Sequence, residues 1–270
     1  MSRLAETFAR LNAAGEKALA CYVMGGDPTP DATAQVIAAV AQGGADVIEV
    51  GIPFSDPVAD GPVIQAAANR ALAAGATPRA LLDQVAGARA AGVSAPIALM
   101  TYYNIPYAFG VRDFVQAAAS AGADATIIAD LPPDEGQPWA EASQAAGLDT
   151  IFLLAPTSTD HAIHLAARLS TGFIYCVSVL GVTGARDALP TDLSQAVARV
   201  KAAASVPVLV GFGISKPEQV RDICRLADGV VVGSALVKLV SAEAPLSDNL
   251  ASARAFVSSL KQATKTAPSR

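Results

Sequence analysis

The 270-residue chain has few of the side chains that most often bind metals or act as nucleophiles, with two histidines and three cysteines. His161 and His164 lie three residues apart on one predicted helix, and we interpret them as a surface pair rather than as metal ligands. Cys21, Cys176 and Cys224 cannot all form disulfides, and their apolar surroundings predict buried free thiols. A metal centre, a Ser-His-Asp triad and a cofactor are therefore not expected.

Basic clusters and long apolar runs are also missing. The formal net charge is −5 and no cluster of Lys and Arg exceeds two residues, which argues against a nucleic-acid surface. Hydrophobic residues make up 52% of the chain, but no run of 18 apolar residues occurs, so no membrane span is expected. Ser2–Arg10 predicts an amphipathic helix rather than a signal peptide. With the free thiols, this favours a cytoplasmic protein.

Lysine is missing from the positions where a Schiff-base enzyme needs it, at the carboxyl ends of strands. Of the six lysines, Lys238 comes nearest, but it lies on a helix after the last predicted strand. Neither a metal-dependent nor a Schiff-base mechanism is therefore expected. Acid–base chemistry by carboxylates remains.

Eight short β-branched runs alternate with helical patterns along the chain, and no hairpin signal lies between them. This alternation predicts a parallel sheet. The predicted strands are Ala18–Met24, Asp46–Val50, Pro96–Thr101, Ala125–Ala129, Thr150–Leu154, Phe173–Ser178, Val206–Val210 and Gly229–Val232. Three segments, which begin at Gly44, Gly122 and Leu226, carry a helix into a strand through a similar Gly/Ala-Asp turn.

A unit that repeats in this way predicts an α/β fold in which residues 1–270 form a single (β/α)8 barrel, or TIM barrel, with an extra N-terminal helix. A doubly wound open sheet is the alternative. That fold would favour a G-x-G-x-x-G motif after the first strand, and Met24–Pro28 does not contain one.

The most informative segment runs from Asp46 to Pro62 and places Glu49 inside an apolar strand. Alternation directs Ile48 and Val50 to one face of that strand and Glu49 to the other. If helices cover the first face, Glu49 points into the barrel near the carboxyl end of the strand, where this fold places its chemistry. Apolar surroundings raise the pKa of a carboxyl group, so Glu49 is predicted to exchange a proton near neutral pH.

Asp60 follows on a loop rich in Gly and Pro, where it is expected to stay ionised and to hold a ring N–H or a developing cation. Two carboxylates in such different environments form a plausible acid–base pair. The alternative for Asp60 is a helix N-cap before Gly61 and Pro62. We favour the functional interpretation.

Glycine-rich turns follow the seventh and eighth predicted strands, at Gly211-Phe212-Gly213 and at Gly233-Ser234. In (β/α)8 barrels these loops often bind phosphate, because backbone N–H groups and a helix N-terminus approach the oxygens closely. A glycine-rich turn after a strand is common and does not by itself indicate a ligand. The two turns together favour an organophosphate ligand.

The connection after the sixth strand, residues 181–190, is rich in small residues and predicts a mobile lid that includes Thr183 and Gly184. A solvated loop is the alternative. Aromatic and apolar residues at strand ends, each of which could singly belong to the core, are together predicted to line a flat slot for a planar aromatic group. They are Tyr22, Met100, Tyr102, Phe152, Tyr175 and Phe212.

Three of these segments, Glu49–Pro62, Gly181–Gly184 and Gly211–Ile214, resemble the tryptophan synthase alpha subunit family, and the similarity in order and spacing extends over essentially the whole chain. The resemblance implies a (β/α)8 barrel that splits indole-3-glycerol phosphate into indole and glyceraldehyde 3-phosphate. It also implies a beta subunit that receives the indole through a channel, usually in an alpha2-beta2 heterotetramer.

Carried over to this chain, the resemblance implies that Glu49 is the general acid–base and that Asp60 stabilises the indole N–H of a ring-protonated intermediate. It places Tyr175 close to the reacting chain. The other implied substrate contacts are Tyr22, Met100, Tyr102 and Phe212 around the indole, Thr183 and Gly184 in the lid, and Gly213, Gly233 and Ser234 around the phosphate. The implied partner contacts are Asp56, Asn104 and Pro132.

The chain departs from the family pattern in three places. Met24-Gly25-Gly26 stands where Thr-Ala-Gly is usual, Tyr22 stands where Phe is common, and Val179 replaces an Arg often found before the lid. The last departure concerns lid closure and signalling between subunits rather than the chemistry. Two other functions stay open: a stand-alone lyase that releases free indole, and a regulatory subunit that activates a beta enzyme. The presence of both carboxylates argues against the second.

Overall fold

The computed structural model describes residues 1–177, 191–211 and 213–265. Within them, eight parallel strands form a closed barrel in sequence order, so the predicted TIM barrel is confirmed. The strands are β1 (Ala18–Met24), β2 (Val47–Gly51), β3 (Ile97–Thr101), β4 (Ala125–Ile128), β5 (Asp149–Leu154), β6 (Ile174–Val177), β7 (Val208–Gly211) and β8 (Gly229–Val232). The predicted lid, with Thr183 and Gly184, and the predicted indole contact Phe212 lie outside the described residues.

Helices connect the strands and surround the barrel. In the described part of the chain they are α1 (Arg3–Ala13), α2 (Thr33–Gln42), α3 (Pro62–Ala73), α4 (Pro78–Ala90), α5 (Asn104–Phe109), α6 (Val111–Ser120), α7 (Gln137–Ala145), α8 (Asp160–Leu169), α9 (Thr191–Ala203), α10 (Pro217–Cys224), α11 (Ser234–Val240) and α12 (Leu246–Lys265). The sequence pattern missed α5, because its six residues are too few to show a helical period and include Pro106. None of the helices described is long and apolar enough to cross a bilayer.

Side chains along each strand alternate between the inside and the outside of the barrel. In β2, Val47 packs in the interior cluster, whereas Ile48 and Val50 pack between the strands and the helices. The buried strand residues of the interior cluster are Ala18, Ala20, Val47, Ala98, Ala125, Ile127, Ile151, Leu209 and Val231, and Phe173, directly before β6, also belongs to it. The alternation predicted for β2 is therefore confirmed. It directs Glu49, which is in phase with Val47, into the barrel.

The predicted N-terminal helix is confirmed as α1, which covers the amino-terminal end of the barrel. Ser2 caps it by accepting a hydrogen bond from the Ala5 N–H at 3.2 Å. Leu4 and Leu11 are buried in the interior cluster. Phe8 packs edge-to-face against Phe173, with ring centroids 6.1 Å apart. The helix thus closes one end of the barrel, and the chemistry is left to the other end.

The three Gly/Ala-Asp turns that repeat in the sequence share one function in the fold. In each, the aspartate follows a helix, and its carboxylate accepts a hydrogen bond from a backbone N–H of the neighbouring strand. The three bonds are Leu19 N to Asp46 at 2.9 Å, Ile97 N to Asp124 at 2.8 Å and Val208 N to Asp228 at 3.0 Å. The repeated turn therefore fixes the starts of neighbouring strands at the amino-terminal end of the barrel.

The predictions for the scarce side chains are also confirmed. Cys21, Cys176 and Cys224 are buried and free, and burial raises the pKa of each thiol. His161 and His164 are exposed on α8. His161 Nε2 lies 3.3 Å from an Asp134 oxygen, and His164 Nδ1 lies 2.6 Å from the Asp160 carbonyl oxygen.

Candidate active site

Glu49 is fully buried inside the barrel, at the central position of β2. Its register partners are Tyr22 in β1 and Ala98 in β3. Among the described residues, neither carboxylate oxygen has a hydrogen-bond partner. Burial alone raises the pKa of Glu49 to about 8, because the surroundings disfavour the charged form. Glu49 therefore keeps its proton at neutral pH but can release it at little cost, as an acid–base group requires.

Two tyrosines share the interior with Glu49, and each fits because a glycine lies opposite it. A Cβ atom on Gly51 would overlap the Tyr22 hydroxyl, and one on Gly211 would clash with the Tyr175 hydroxyl. Both phenols have a raised pKa, caused first by burial and then by the negative charges of Asp60 and Glu49. The two hydroxyls therefore stay protonated and can donate hydrogen bonds to a polar group in the barrel mouth.

The departures from the family pattern at Tyr22, Met24 and Gly25 lie together at the end of β1. The Tyr22 hydroxyl lies 3.9 Å from the Met24 sulfur. Gly25 donates its N–H to the Gly51 carbonyl oxygen at 2.8 Å, and a Cβ at Gly25 would approach that same oxygen to 2.9 Å. A side chain at position 25 would therefore require the backbone to move.

Asp60 lies half-buried on the loop between β2 and α3. It accepts a hydrogen bond from the Tyr102 hydroxyl at 3.0 Å, and that hydroxyl in turn accepts one from the Ala59 N–H at 3.0 Å. Phe54 stacks on the Tyr102 ring at 5.3 Å. Burial raises the pKa of Asp60, and the Tyr102 hydrogen bond opposes this effect.

The interpretation of Asp60 as a helix N-cap is wrong. Gly61 is the N-cap residue of α3, and no side chain caps that helix end. The Asp60 carboxylate instead accepts a hydrogen bond from Tyr102, which follows β3, the strand next to β2. The negative charges of Glu49 and Asp60 both contribute to the raised pKa of Tyr22 and of Tyr175.

The predicted aromatic slot is only partly correct. Met100 contacts both the interior cluster and the cluster that contains Tyr22. Phe152, in contrast, packs outside the barrel with the residues between strands and helices, because it is out of phase with Ile151 and Leu153, which face inward. Phe152 is therefore excluded from the slot.

The residues predicted to hold a phosphate lie at the ends of β7 and β8. Gly233 is the N-cap of α11, and its carbonyl oxygen accepts hydrogen bonds from the Leu236 and Val237 N–H groups at 2.9 and 3.0 Å. Ser234, the first residue of α11, is exposed. Gly213 has a φ of +52°, which favours glycine. A Cβ at Gly233 would lie 3.5 Å from the Tyr22 Cβ, so this turn borders the aromatic side chains.

The predicted partner contacts Asp56, Asn104 and Pro132 are all exposed. The loops that carry them are hydrogen-bonded to one another at their bases. The Tyr102 hydroxyl joins the loop after β3 to Asp60, and the Tyr103 N–H donates to Asp130, after β4, at 2.7 Å. The three loops therefore form one continuous rim at the mouth of the barrel.

Two exposed apolar side chains in the connections after β2 and β3 were not predicted from the sequence. Val58, on the loop after β2, is 84% exposed, and Tyr107, on α5, is 71% exposed. Val58 lies between Asp56 and Asp60, inside the motif already identified. A β-branched residue in a polar loop was the available signal, but a single position does not distinguish an exposed side chain from a buried one.

The chain is similar to proteins of one family throughout its length. Residues 8–265 match the family model described as Tryptophan synthase alpha chain. The Tryptophan synthase alpha chain of Citrifermentans bemidjiense is 49% identical, over 97% of this chain and 97% of that protein. The crystal structure of tryptophan synthase subunit alpha from Legionella pneumophila superposes with a TM-score of 0.89 and 37% identity, over 98% of both chains. A tryptophan synthase structure from Mycobacterium tuberculosis gives 0.88 and 39%, again over 98% of both chains.

Proposed function

This chain belongs to the tryptophan synthase alpha chain family, and on that premise we propose that Glu49 and Asp60 catalyse its reaction. The chain is a lyase of tryptophan biosynthesis that cleaves indole-3-glycerol phosphate to indole and glyceraldehyde 3-phosphate. One observation carries the assignment of the residues. Glu49 is fully buried with neither oxygen paired among the described residues, and its pKa is about 8. A carboxyl group in that state is protonated when the reaction begins.

Glu49 acts twice in the proposed reaction. It first donates its proton to the indole ring carbon that bears the side chain, which makes the ring cationic. The resulting carboxylate then removes the proton from the hydroxyl on the adjacent side-chain carbon. As the aldehyde C=O forms, the carbon–carbon bond breaks and its electron pair returns to the ring. Indole is released neutral, and Glu49 is protonated again. A pKa near the working pH suits both transfers.

Asp60 stabilises the cationic ring in this scheme by accepting a hydrogen bond from the indole N–H. The hydrogen bond from Tyr102 orients its carboxylate and favours the ionised form. Burial acts in the opposite direction on the pKa of Asp60. A partly buried anion interacts more strongly with a nearby cation than a solvated one, because water screens it less.

The remaining residues bind the substrate in this proposal. The indole contacts are Tyr22, Met100, Tyr102 and Phe212, with Tyr175 beside the reacting chain. The phosphate is bound by Gly213, Gly233 and Ser234, and Thr183 and Gly184 close over it. The proximity of the Gly233 turn to Tyr22 supports this arrangement. It allows one molecule to reach both groups of residues.

The family implies a beta-subunit partner, and we propose an alpha2-beta2 heterotetramer in the cytoplasm. Asp56, Asn104 and Pro132 are the proposed contacts, and residues 1–270 act as one domain. The continuous rim formed by the three loops supports this surface. The exposed Val58 on the same rim adds an apolar side chain that a partner could bury.

The test is the cleavage of indole-3-glycerol phosphate by the purified chain, with and without added beta subunit. We expect cleavage in both cases and a faster rate with the partner. A rate that the partner leaves unchanged would favour a stand-alone lyase. An absence of cleavage by the chain alone and with the partner would contradict the assigned chemistry.

A further inference from the structure

Asp27 is a buried aspartate that takes no part in the proposed proton transfers, and it links three elements of the barrel mouth. Asp27 follows β1 by three residues and is only 2% exposed. Arg70, on α3, approaches it with two parallel hydrogen bonds, from Nε to Oδ1 at 2.9 Å and from Nη2 to Oδ2 at 3.0 Å. A bidentate Arg–carboxylate pair fixes orientation as well as distance. Asp27 therefore holds α3 at a defined angle to the end of β1.

The same carboxylate also contacts the helix that begins at the proposed phosphate site. Ser241, the C-cap residue of α11, donates its hydroxyl to Asp27 Oδ2. The Ser241 hydroxyl also lies 2.9 Å from the Val237 carbonyl oxygen, one turn earlier in α11. Asp27 thus joins α3 and α11, whose contacting residues Arg70 and Ser241 are far apart in the sequence.

Close packing reinforces this junction. Gly26 has a φ of +88°, and a Cβ there would lie within 3.0 Å of both Ala71 and Ala76. The backbone before Asp27 is therefore in direct contact with α3 and with the turn that follows it. Tyr22 and Val237 belong to the same buried cluster, which also includes the apolar face of α3. A displacement of either helix would consequently reach Tyr22.

Each of the two helices carries one part of the proposed site at its start. The helix α3 begins two residues after Asp60, and Gln65 in its first turn donates to the Asp60 carbonyl oxygen at 2.8 Å. The helix α11 begins at Ser234 and is capped by Gly233. Small shifts of either helix would therefore move different groups: Asp60 in one case and the phosphate contacts in the other.

We propose that Asp27 is a positioning residue that sets Asp60, through Arg70, and the phosphate-binding turn, through Ser241, at the correct separation across the barrel mouth. This inference rests on the proposed function. Arg70 and Ser241 share Oδ2 of Asp27, but each connects it to a different helix: Arg70 lies on α3, and Ser241 is the C-cap residue of α11. Each arm can therefore be removed without deleting the other. Loss of one arm affects turnover and loss of the other affects phosphate binding.

The experiment compares Arg70→Ala, Arg70→Lys and Ser241→Ala in the full-length chain with its beta subunit. The matched control is Arg199→Ala. Arg199 also joins two helices through an aspartate, with Nη2 2.7 Å from Asp160, and its side chain is 44% exposed, compared with 46% for Arg70. The measurements are kcat and KM for indole-3-glycerol phosphate, the Kd for glycerol 3-phosphate as a probe of the phosphate site, and the thermal midpoint of each variant.

We expect Arg70→Ala to lower kcat roughly 10- to 100-fold, the range for a catalytic group displaced by about an ångström, with less than twofold change in the Kd for glycerol 3-phosphate. Arg70→Lys should recover part of the lost kcat, since lysine keeps the charge but not the bidentate geometry. Ser241→Ala should raise KM and the Kd for glycerol 3-phosphate by several-fold at unchanged kcat. The Arg199→Ala control should match the wild type in kcat, in KM and in the Kd for glycerol 3-phosphate.

The inference is overturned if Arg70→Ala behaves like Arg199→Ala, or if Arg70→Ala and Ser241→Ala change kcat and KM in the same proportion. If Arg70→Ala fails to fold, the Ser241→Ala variant decides, because it removes a single hydroxyl at a helix end. An inactive wild type would overturn the proposed function and this inference with it, whereas an active wild type with unaffected variants would overturn this inference alone.

Discussion

Three aspartates at the amino-terminal end of the barrel and Glu49 near its mouth have opposite surroundings. At the amino-terminal end, Asp46, Asp124 and Asp228 each accept a backbone hydrogen bond and also pair with cationic side chains. Those pairs are Arg10 and Lys261 with Asp46, Arg3 and Arg89 with Asp124, and Lys17 and Lys201 with Asp228. At the mouth, Glu49 is more deeply buried than any of them and has no partner among the described residues.

The two kinds of carboxyl group contribute differently, one to the stability of the fold and the other to proton transfer. A carboxylate that accepts hydrogen bonds and pairs with cationic side chains fixes the positions of its neighbours. A buried carboxyl group without partners costs stability when it ionises, and its pKa moves towards neutral pH for the same reason. The three paired aspartates therefore stabilise the barrel, and we propose that the unpaired burial of Glu49 costs stability but allows this residue to transfer a proton.

The largest effect is expected when the unpaired carboxyl group of Glu49 is removed. Glu49→Gln preserves size and polarity but cannot exchange a proton, so we expect kcat for indole-3-glycerol phosphate cleavage to fall by about 10³-fold or more. Substrate should still bind, because the amide fills the same space. Steady-state kinetics and equilibrium binding measure the two quantities. A Gln variant with near-normal turnover would refute the proposed mechanism.

At the other end of the barrel, breaking a buried pair should affect stability and not turnover. Asp124→Ala leaves the Arg89 cation without its carboxylate partner and the Ile97 N–H without its acceptor, so we expect a loss of about 3 kcal/mol in the free energy of unfolding. Urea denaturation measures this loss, and kcat should stay unchanged. Asp228→Ala is the control: it also leaves a backbone N–H, that of Val208, without its acceptor, but its carboxylate is 31% exposed, so its loss should cost clearly less than that of Asp124. Equal losses would contradict the comparison.

Asp60 occupies an intermediate position, since it is half-buried and has one hydrogen-bond donor, Tyr102. Asp60→Asn removes the negative charge that faces the ring cation, and we expect kcat to fall by about 10²-fold, less than for Glu49→Gln. Tyr102→Phe keeps the charge and removes only the orienting hydroxyl, so its effect should be smaller. If Asp60→Asn proved as damaging as Glu49→Gln, the two proposed roles would have to be reconsidered.

The smallest effect concerns stability as a function of pH. The pKa of Glu49 is about 8 in the folded chain and about 4.5 when exposed, so between these values the folded state keeps a proton that the unfolded state releases. Wild-type stability should therefore fall relative to Glu49→Gln by about 2 kcal/mol between pH 6 and 7.5, since one pH unit corresponds to about 1.4 kcal/mol. Below pH 4.5 and above pH 8 the difference should be constant. Parallel stability curves at intermediate pH would contradict the raised pKa.

Much of the fold follows from short-range patterns. Alternation in β2 correctly directs Glu49 inward and Ile48 outward, because the two faces of a strand differ by one residue. The same rule explains the error at Phe152, whose aromatic character suggested the slot although its phase places it outside. The short α5 was missed because six residues show no helical period.

The arrangement of the candidate site depended on contacts that no local pattern contains. Tyr102 and Asp60 are 42 positions apart, and Asp27 bonds to residues 43 and 214 positions away. The sequence suggested a functional role for Asp60. Whether its carboxylate caps α3, and which group opposes the effect of burial on its pKa, could be decided only once the position of Tyr102 was known. Likewise, the exposure of Val58 became clear only once the surrounding loops were placed.

The sequence alone determined that eight strands alternate with helices, that one carboxyl group lies in an apolar strand, and which family the chain resembles. These features depend on periodicity and on residues close together in the chain. Only the tertiary structure decided which groups meet at the mouth: Asp60 with Tyr102, and Asp27 with both Arg70 and Ser241. The physical reason is that barrel closure brings distant segments within hydrogen-bond range, and a carboxylate acquires its pKa and its partners only from that folded environment.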